Sequence, residues 1–250
     1  MLAPCVTPSV TDQAVSCRSP DTSRRPIIEE DSATPYVWYA SYGSNMSEAR
    51  FRHYVQGGRP NGATRDYPGA RDRTAPLKLA PVSLAGSVFF AWESPTWGGG
   101  IAFYDPAGAG TSYGRAYLVT AGQFADIAAQ EMHRVPAADL DLTTLLADGH
   151  AVLGPGRYER LLVVGEIDGL PVLTFTASWT DEQVDLNPPV KRYLRMMAAG
   201  LREAHGLADE QIVDYLLARP GIRPQWSRET LAAAIVSDPD RPTLLQRGTP

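Results

Sequence analysis

The sequence contains little cysteine. Only Cys5 and Cys17 occur among its 250 residues, and both lie in a proline-rich N-terminal stretch. Two cysteines in such a stretch provide neither a disulfide scaffold nor a cysteine-based zinc site. The four histidines show no ligand spacing such as HExxH. We therefore expect no metal site and no cofactor.

Long apolar runs and an excess of positive charge are also absent. No stretch approaches the ~18 apolar residues of a membrane-spanning helix. The 23 basic and 28 acidic residues give a formal net charge of −5, which does not favour nucleic acid or an anionic membrane as a partner. The first ten residues, MLAPCVTPSV, lack the basic and apolar regions of a secretory signal. The sequence therefore predicts a cytoplasmic protein without nucleic-acid or membrane partners.

The chain divides by composition into three parts. Residues 1–35 hold five prolines and nine serines or threonines but no aromatic residue, a composition that cannot offset the entropy of ordering. We predict a disordered extension over 1–35, a single domain over 36–236 and a Pro/Asp-rich tail over 237–250. Within the domain, 48–78 carries more basic than acidic residues; such a run is either a solvated face or a positive field over a small anion.

Most regular elements predicted in the domain are strands, and most helices come late. The strands are 36–42, 85–92, 100–104, 113–119 and the two arms of a hairpin around Asp168-Gly169. Residues 43–80 are predicted as loop around a short helix at 47–55, and further helices are predicted at 121–133, after Pro189, at 209–218 and at 227–236. This pattern predicts an α+β fold with a curved or closed, mostly antiparallel sheet and helices outside it.

A small polar segment follows the first predicted strand. Tyr42, Gly43, Ser44, Asn45 and Met46 come directly after YVWYAS, and a glycine just past a strand allows a sharp turn that leaves successive backbone N–H groups pointing outward. Such donors bind anions. The alternative is a plain strand-to-helix turn in which the small polar residues act as helix caps.

Glu131 is the acid/base candidate. In the predicted helix 121–133 the apolar stripe runs through Phe124, Ile127 and Ala128, and position 131 is the next on that stripe. A carboxylate facing the core has a raised pKa, which suits proton transfer near neutral pH. The alternative is an edge residue paired with Arg134 or another cation. No GxSxG motif and no Cys/His pair occurs in the predicted domain, which disfavours a serine or cysteine hydrolase.

The segment Trp97-Gly98-Gly99-Gly100 does not match a phosphate-binding loop, because no Lys-Ser/Thr pair follows and its flanks are strand-like. Glycines there allow a ligand or a second backbone segment to approach the sheet closely.

Together these motifs resemble the gamma-glutamylcyclotransferase-like superfamily over roughly residues 36–218. The resemblance rests on YASYGSNM, WGGGIAF, YGRAYLV followed by a helix ending in a glutamate, and PPVKRYLRMMAAGLREAHGL. It implies a small, mixed, mostly antiparallel β-barrel with flanking helices. It further implies that Tyr42 to Met46 bind substrate through the backbone, that Glu131 transfers a proton, and that Tyr193 lines the pocket.

The reaction that the resemblance implies is an intramolecular one on a γ-glutamyl amide. The α-amine attacks the γ-carbonyl, 5-oxoproline is released and an amine leaves, with no covalent enzyme residue, metal or cofactor. Two other functions remain open on the same scaffold: an amide hydrolase in which Glu131 activates water, and a small-molecule binding module without turnover.

Overall fold

The computed structural model describes residues 15–16, 35–59 and 66–236. The strands are β1 Val15–Ser16, β2 Tyr36–Ser41, β3 Lys78–Ala85, β4 Ser87–Ala91, β5 Ile101–Asp105, β6 Thr111–Thr120, β7 His150–Val152, β8 Arg160–Ile167 and β9 Leu170–Thr176. The α-helices are α1 Glu48–Gln56, α2 Ala121–Glu131, α3 Thr143–Asp148, α4 Lys191–His205, α5 Asp209–Leu217 and α6 Arg228–Ile235, and a single 3-10 turn covers Ser44–Met46.

Seven of the strands form one sheet, in the order β1-β3-β6-β2-β9-β8-β7. Only β1 with β3 and β2 with β9 run parallel, while the other neighbours are antiparallel. The α+β class and the mostly antiparallel sheet with flanking helices are thus confirmed. Closure of the sheet into a barrel stays a prediction.

The hairpin of β4 and β5 is a separate two-stranded sheet. Side chains attach it to the larger sheet: the Thr176 hydroxyl donates to the carbonyl of Tyr104 at 2.8 Å, and the Tyr158 hydroxyl donates to the carbonyl of Ala102 at 2.9 Å. These hydrogen bonds hold the hairpin against the end of β9.

The core lies between the sheet, the hairpin and helices α1, α2 and α4. Its large, fully buried side chains include Trp38, Phe51, Phe103, Tyr117 and Phe124. Helix α4 approaches the 3-10 turn so closely that a Cβ on Gly200 would lie 2.4 Å from the Cβ of Met46. A glycine within a helix interior is normally unfavourable, and this close contact explains it.

Several predicted elements differ from the structure. Strand β3 covers 78–85, where the sequence predicts loop as far as residue 80, because Pro60, Pro68 and Pro76 are typical of loops. The strand begins two residues after Pro76 and contains Pro81. Beyond β3 on its outer side lies only the two-residue β1, and a missing N–H donor is tolerated near a sheet edge. The predicted strand 85–92 is β4, which covers 87–91, and α2 ends at Glu131 instead of residue 133. Helix α3 was not predicted.

Other local predictions are confirmed. Asp168 and Gly169 both have positive φ, at 53° and 76°, and join β8 to β9, as a two-residue hairpin turn requires. The capping box of Thr120 and Gln123 is present at the start of α2.

Most of the predicted extension 1–35 and the whole tail 237–250 lie outside the described residues, as do Cys5 and Cys17. The three-part division of the chain stays a prediction. Within the described part of the chain, no helix is both long and apolar enough to cross a membrane.

Candidate active site

A cavity lies where the segment after β2 meets α1, the end of α2 and the start of α4. Six of the seven residues that the sequence singles out line it: Tyr42, Gly43, Ser44, Asn45, Glu131 and Tyr193. Residues distant in sequence by up to about 150 positions are therefore gathered at one place, as the resemblance implies.

Met46 has a different environment. It is fully buried and packs against Gly200 of α4 instead of lining the cavity. Tyr42 is held by its hydroxyl, which donates to the carbonyl of Phe175 at 2.8 Å. The carbonyl of Asn45 accepts from the Tyr117 hydroxyl at 2.7 Å. The segment 42–46 is thus fixed from both sides, which preorganises the residues that line the cavity.

Gly43 is explained by a close contact and not by the sharp turn that the sequence suggests. Its φ of −116° lies outside the left-handed region, but a Cβ there would lie 3.1 Å from the hydroxyl oxygen of Tyr193. That oxygen accepts from the amide of Ala102 at 3.1 Å. Burial raises the pKa of Tyr193 to about 12, so its hydroxyl remains protonated and can donate into the cavity.

Glu131 is the last residue of α2, and its carboxyl group faces the cavity. The Asn45 side chain donates to Oε1 of Glu131 at 2.8 Å, and Tyr54 hydrogen bonds to the same carboxyl group. Burial raises the pKa of Glu131 above its usual value of 4.5, although Tyr54 and the positive charge of Arg50 act in the opposite direction. A carboxyl group with a raised pKa, held by hydrogen bonds from Asn45 and Tyr54, suits proton transfer near neutral pH.

The alternative partner for Glu131 is excluded by geometry. Arg134 forms its ion pair with Glu159, which is itself buried. The pairing of Glu131 with Arg134 is therefore not formed, and the role of Glu131 stays a prediction.

Arg50 is a cavity residue that the sequence analysis missed. It is 4% exposed and its guanidinium lies over three aromatic rings, with the closest centroid, that of Tyr67, at 4.8 Å. Its Nη2 donates to the Tyr67 hydroxyl. A signal was available, because Arg50 lies four residues before Tyr54 on the buried stripe of α1, and a charged residue on such a stripe needs a partner.

Three buried polar side-chain atoms have no hydrogen-bond partner in the described part of the protein. They are Asn45 Oδ1, Arg50 Nε and Gln130 Oε1, and all three residues line this cavity. An unpaired buried polar group costs about 1–3 kcal/mol. The three residues therefore leave one donor, on Arg50, and two acceptors, on Asn45 and Gln130, without a partner from the described residues.

The segment Trp97-Gly98-Gly99-Gly100 contributes to the cavity wall through Trp97. A Cβ on Gly100 would lie 1.8 Å from the carbonyl oxygen of Asn187, so the close approach that the sequence predicts there is to a second backbone segment. Trp97, just before the glycines, lines the cavity and contacts Tyr193 edge-on at 5.5 Å between centroids.

No group of three or more His, Cys, Asp or Glu side chains that could hold a metal ion occurs within residues 35–59 and 66–236. The residues of the cavity offer hydrogen-bond donors, acceptors and one acid/base group, and these are suited to proton transfer on a bound polar molecule.

The chain is similar in fold to several solved structures and in sequence to a curated protein. No family model matches the chain. Among solved structures, it is similar to a gamma-glutamyl cyclotransferase. That likeness has 17% identity and a TM-score of 0.45 and covers 80% of this chain and 98% of the other.

Two further solved structures are similar to the chain to about the same degree. Uncharacterized protein loc79017 from Homo sapiens has 17% identity, a TM-score of 0.43 and coverage of 80% and 98%. YkqA from Bacillus subtilis has 16% identity, a TM-score of 0.40 and coverage of 74% and 55%.

One curated relative is similar in sequence. Histone deacetylase 5 of Arabidopsis thaliana is 29% identical over 204 residues, which are 74% of this chain and 31% of that protein. The chain therefore spans less than a third of that relative's length.

Proposed function

We propose that the protein cleaves a γ-glutamyl amide by intramolecular cyclisation, releasing 5-oxoproline and an amine. The observation that carries the proposal is the set of unpartnered polar atoms on Asn45, Arg50 and Gln130, three residues that line the same cavity as Glu131. The free α-amino and α-carboxylate groups of a γ-glutamyl substrate supply the donor and the anionic acceptor that these atoms lack.

In the proposed binding mode, Nε of Arg50 donates to the α-carboxylate of the substrate. Arg50 is buried and already positioned by Tyr54, Tyr67 and Trp97, so little order is lost on binding. The α-amine then donates to Asn45 Oδ1, which is otherwise unpartnered. Since the same Asn45 side chain donates to Glu131, the amine is placed next to the proposed base.

The chemical step moves one proton in two transfers, first to Glu131 and then from Glu131 to the leaving nitrogen. The neutral α-amine attacks the γ-carbonyl, the new N–C bond closes the five-membered ring, and the proton leaving the nitrogen passes to Glu131. When the bond to the leaving nitrogen breaks, Glu131 returns that proton to it. Because the reacting groups are tethered, effective molarities of about 10⁵ M or more are available without a covalent enzyme residue.

The developing oxyanion needs donors in a fixed position. Tyr193 supplies one in this proposal, because its oxygen accepts from the amide of Ala102 and its own proton is free to donate. Backbone N–H groups of the segment 43–45 supply others. The resemblance implies the second set, and Tyr193 extends it.

A panel of γ-glutamyl amines tests the function, with 5-oxoproline measured by mass spectrometry. Release of 5-oxoproline that depends on Glu131 supports the proposal. Release of free glutamate instead would identify an amide hydrolase. Substrates that bind and are recovered unchanged would identify a binding module.

A further inference from the structure

Arg115 is a buried cation that the proposed function does not use. It lies on β6 and is 6% exposed. In the register of the sheet it is opposite Ser41, the last residue of β2, so it lies beside the start of the segment 42–46. A buried charge needs partners that offset its loss of hydration, and the structure provides Arg115 with two.

The first partner of Arg115 is Glu203 of α4. Nη1 of Arg115 lies 3.2 Å from Oε2 of Glu203. The same carboxylate oxygen accepts from the backbone amide of Glu48, the first residue of α1, at 3.1 Å. Ser47, at the N-cap position, makes no side-chain hydrogen bond to the helix, so Glu203 takes the place of a capping side chain. Arg115 and Glu203 therefore join α4, β6 and the start of α1.

The second partner of Arg115 is the hydroxyl oxygen of Tyr117, two residues later on β6. The Tyr117 hydroxyl in turn donates to the carbonyl of Asn45 at 2.7 Å. A donor to a hydroxyl oxygen polarises the O–H group and strengthens the hydrogen bond that this group donates. The Asn45 side chain donates to Glu131 at 2.8 Å. Three hydrogen bonds therefore link Arg115, by way of Tyr117 and Asn45, to the proposed base.

The orientation of Asn45 matters because its side-chain amide makes two contacts in the proposed binding mode. One end donates to Glu131, and the other accepts from the α-amine of the substrate. Asn45 lies in a 3-10 turn of three residues, and so short a turn has few hydrogen bonds of its own. Contacts from outside the turn must hold it in place, since a misplacement of about 1 Å can lower a rate by about 10².

We propose that Arg115 is a positioning residue for the reaction, which acts through Tyr117 to hold Asn45 where it places the α-amine of the substrate beside Glu131. This inference rests on the proposed function and extends the site to residues that do not touch the substrate. Neither Arg115 nor Tyr117 is among the described residues that line the cavity. An effect of Arg115 on the rate therefore passes through these hydrogen bonds.

Tyr117→Phe is the sharpest test of the inference. It removes one hydroxyl group and keeps the ring, which stacks on Phe51 with 3.8 Å between centroids, so the fold should be retained. We expect kcat for the release of 5-oxoproline to fall about tenfold. A normal kcat in Tyr117→Phe would overturn the inference.

The pKa of Glu131 provides a readout that a general loss of stability does not move. Burial raises this pKa, and the hydrogen bond from Asn45 lowers it. A loosened Asn45 stabilises the charged carboxylate less, so the pKa should be higher in Tyr117→Phe than in the unaltered protein. Arg50 and Arg157, the cations that act on Glu131, are the same in both proteins. A ¹³C NMR titration of the Glu131 carboxyl group measures the pKa, and an unmoved value would overturn the inference.

Arg115→Gln should have the same two effects as Tyr117→Phe. Because both residues act through one series of hydrogen bonds, the double variant should be no slower than the slower of the two single variants. Losses of rate that multiply in the double variant would show that the two residues act independently and would reject the inference.

Arg202→Gln is the matched control. Arg202 directly precedes Glu203 on α4 and pairs with Asp209 at 2.6 Å, so this variant also removes the cation from an ion pair of α4. It should leave both kcat and the pKa of Glu131 unchanged. A loss of kcat as large as that in Arg115→Gln would assign the effect to a general loss of stability and would reject the inference.

Failure of the proposed function gives a different result. If the unaltered protein releases no 5-oxoproline from any compound in the panel of γ-glutamyl amines, the cyclisation is wrong, and the NMR titration then tests Arg115 by itself. A pKa of Glu131 that is higher in Arg115→Gln and Tyr117→Phe but not in Arg202→Gln would support the positioning of Asn45. Equal values in all of these proteins would reject it.

Discussion

Helix α2 carries two acidic residues in very different surroundings. Asp126 is fully buried and accepts from the backbone amide of Arg71 at 2.7 Å and from its Nε at 2.8 Å. Glu131, five residues later, is half-buried, has a raised pKa and lines a cavity together with three residues whose polar atoms lack a partner. The first carboxylate has a complete set of partners from the protein. The second lies in an incomplete set, which a substrate can complete.

The comparison shows that α2 contains one acidic residue, Asp126, that stabilises the fold and another, Glu131, that lies in the candidate active site. Asp126 connects α2 to the segment that follows residue 66 through its ion pair with Arg71. Its side chain is buried from solvent and therefore cannot bind a ligand. Glu131 lies at the C-terminal end of the helix, where the side chain reaches the cavity. Hydrogen-bond completeness and access to the cavity therefore distinguish the two roles.

The largest expected effect is the loss of turnover in Glu131→Gln. Glutamine keeps the shape of the side chain but cannot shuttle a proton, so kcat should fall by about 10² or more, the usual contribution of a positioned general base. The variant should melt no lower than the parent, because a buried ionisable group is removed. Turnover and thermal melting of one preparation measure both. A stable variant with full turnover would refute the role of Glu131.

Changes at Arg50 should weaken substrate binding. Arg50→Lys retains the positive charge but has no Nε–H to donate, and we expect KM to rise about tenfold or more with a smaller change in kcat. Steady-state kinetics with Arg52→Gln, on the exposed face of the same helix, provides the control. An unchanged KM in Arg50→Lys would show that Arg50 does not bind the substrate.

Asp126→Asn should show the opposite pattern to Glu131→Gln. It breaks the pairing of a fully buried carboxylate with Arg71, so the free energy of unfolding should fall by about 1–3 kcal/mol. Activity per folded molecule should stay near that of the parent. Chemical denaturation together with turnover tests this, and a large loss of kcat without a loss of stability would contradict the comparison.

The pH dependence of stability follows from the raised pKa of Glu131. The folded protein holds this proton more tightly than the unfolded chain does, whose value is near 4.5. Stability is therefore lost as the pH rises from about 4.5 through the raised pKa. Glu131→Gln lacks this loss, so its advantage over the parent should grow across that window and then level off. Melting temperatures of both proteins from pH 4 to 8, taken about every half unit, measure the difference.

The smallest effect is expected in the segment after β2. Gly43→Ala places a methyl group 3.1 Å from the Tyr193 hydroxyl and should lower kcat/KM several-fold, about 1 kcal/mol of lost binding or positioning. Ser44→Ala adds no such contact and should have less effect. If the two substitutions had equal effects, the segment 42–46 would be a simple strand-to-helix turn and not part of the binding site.

The sequence was informative where local rules determine the structure. The Asp168-Gly169 hairpin follows from turn chemistry and the start of α2 follows from its capping box. Glu131 could be predicted because the apolar stripe of α2 continues through its position. The mostly antiparallel sheet followed from the number of short strands before the late helices.

What the sequence did not reveal depends on contacts between distant segments. Nothing local to Arg50 shows that Tyr67 and Trp97 surround its guanidinium. The start of strand β3 was missed because Pro76 and the prolines before it predict a loop, whereas the strand begins two residues after Pro76 and pairs with β6. The reason for Gly43 depends on Tyr193, which lies 150 residues later in the chain. Such pairings become visible only once the fold brings them together.

Cyclisation is tested most directly by running the reaction in H₂¹⁸O. Attack by the α-amine of the substrate involves no water, so the account predicts that 5-oxoproline forms without ¹⁸O and that its formation is lost in Glu131→Gln. Hydrolysis at the same site would place one ¹⁸O atom in the γ-carboxyl group of free glutamate. Mass spectrometry of the products separates the two, and labelled glutamate as the first product would contradict the account.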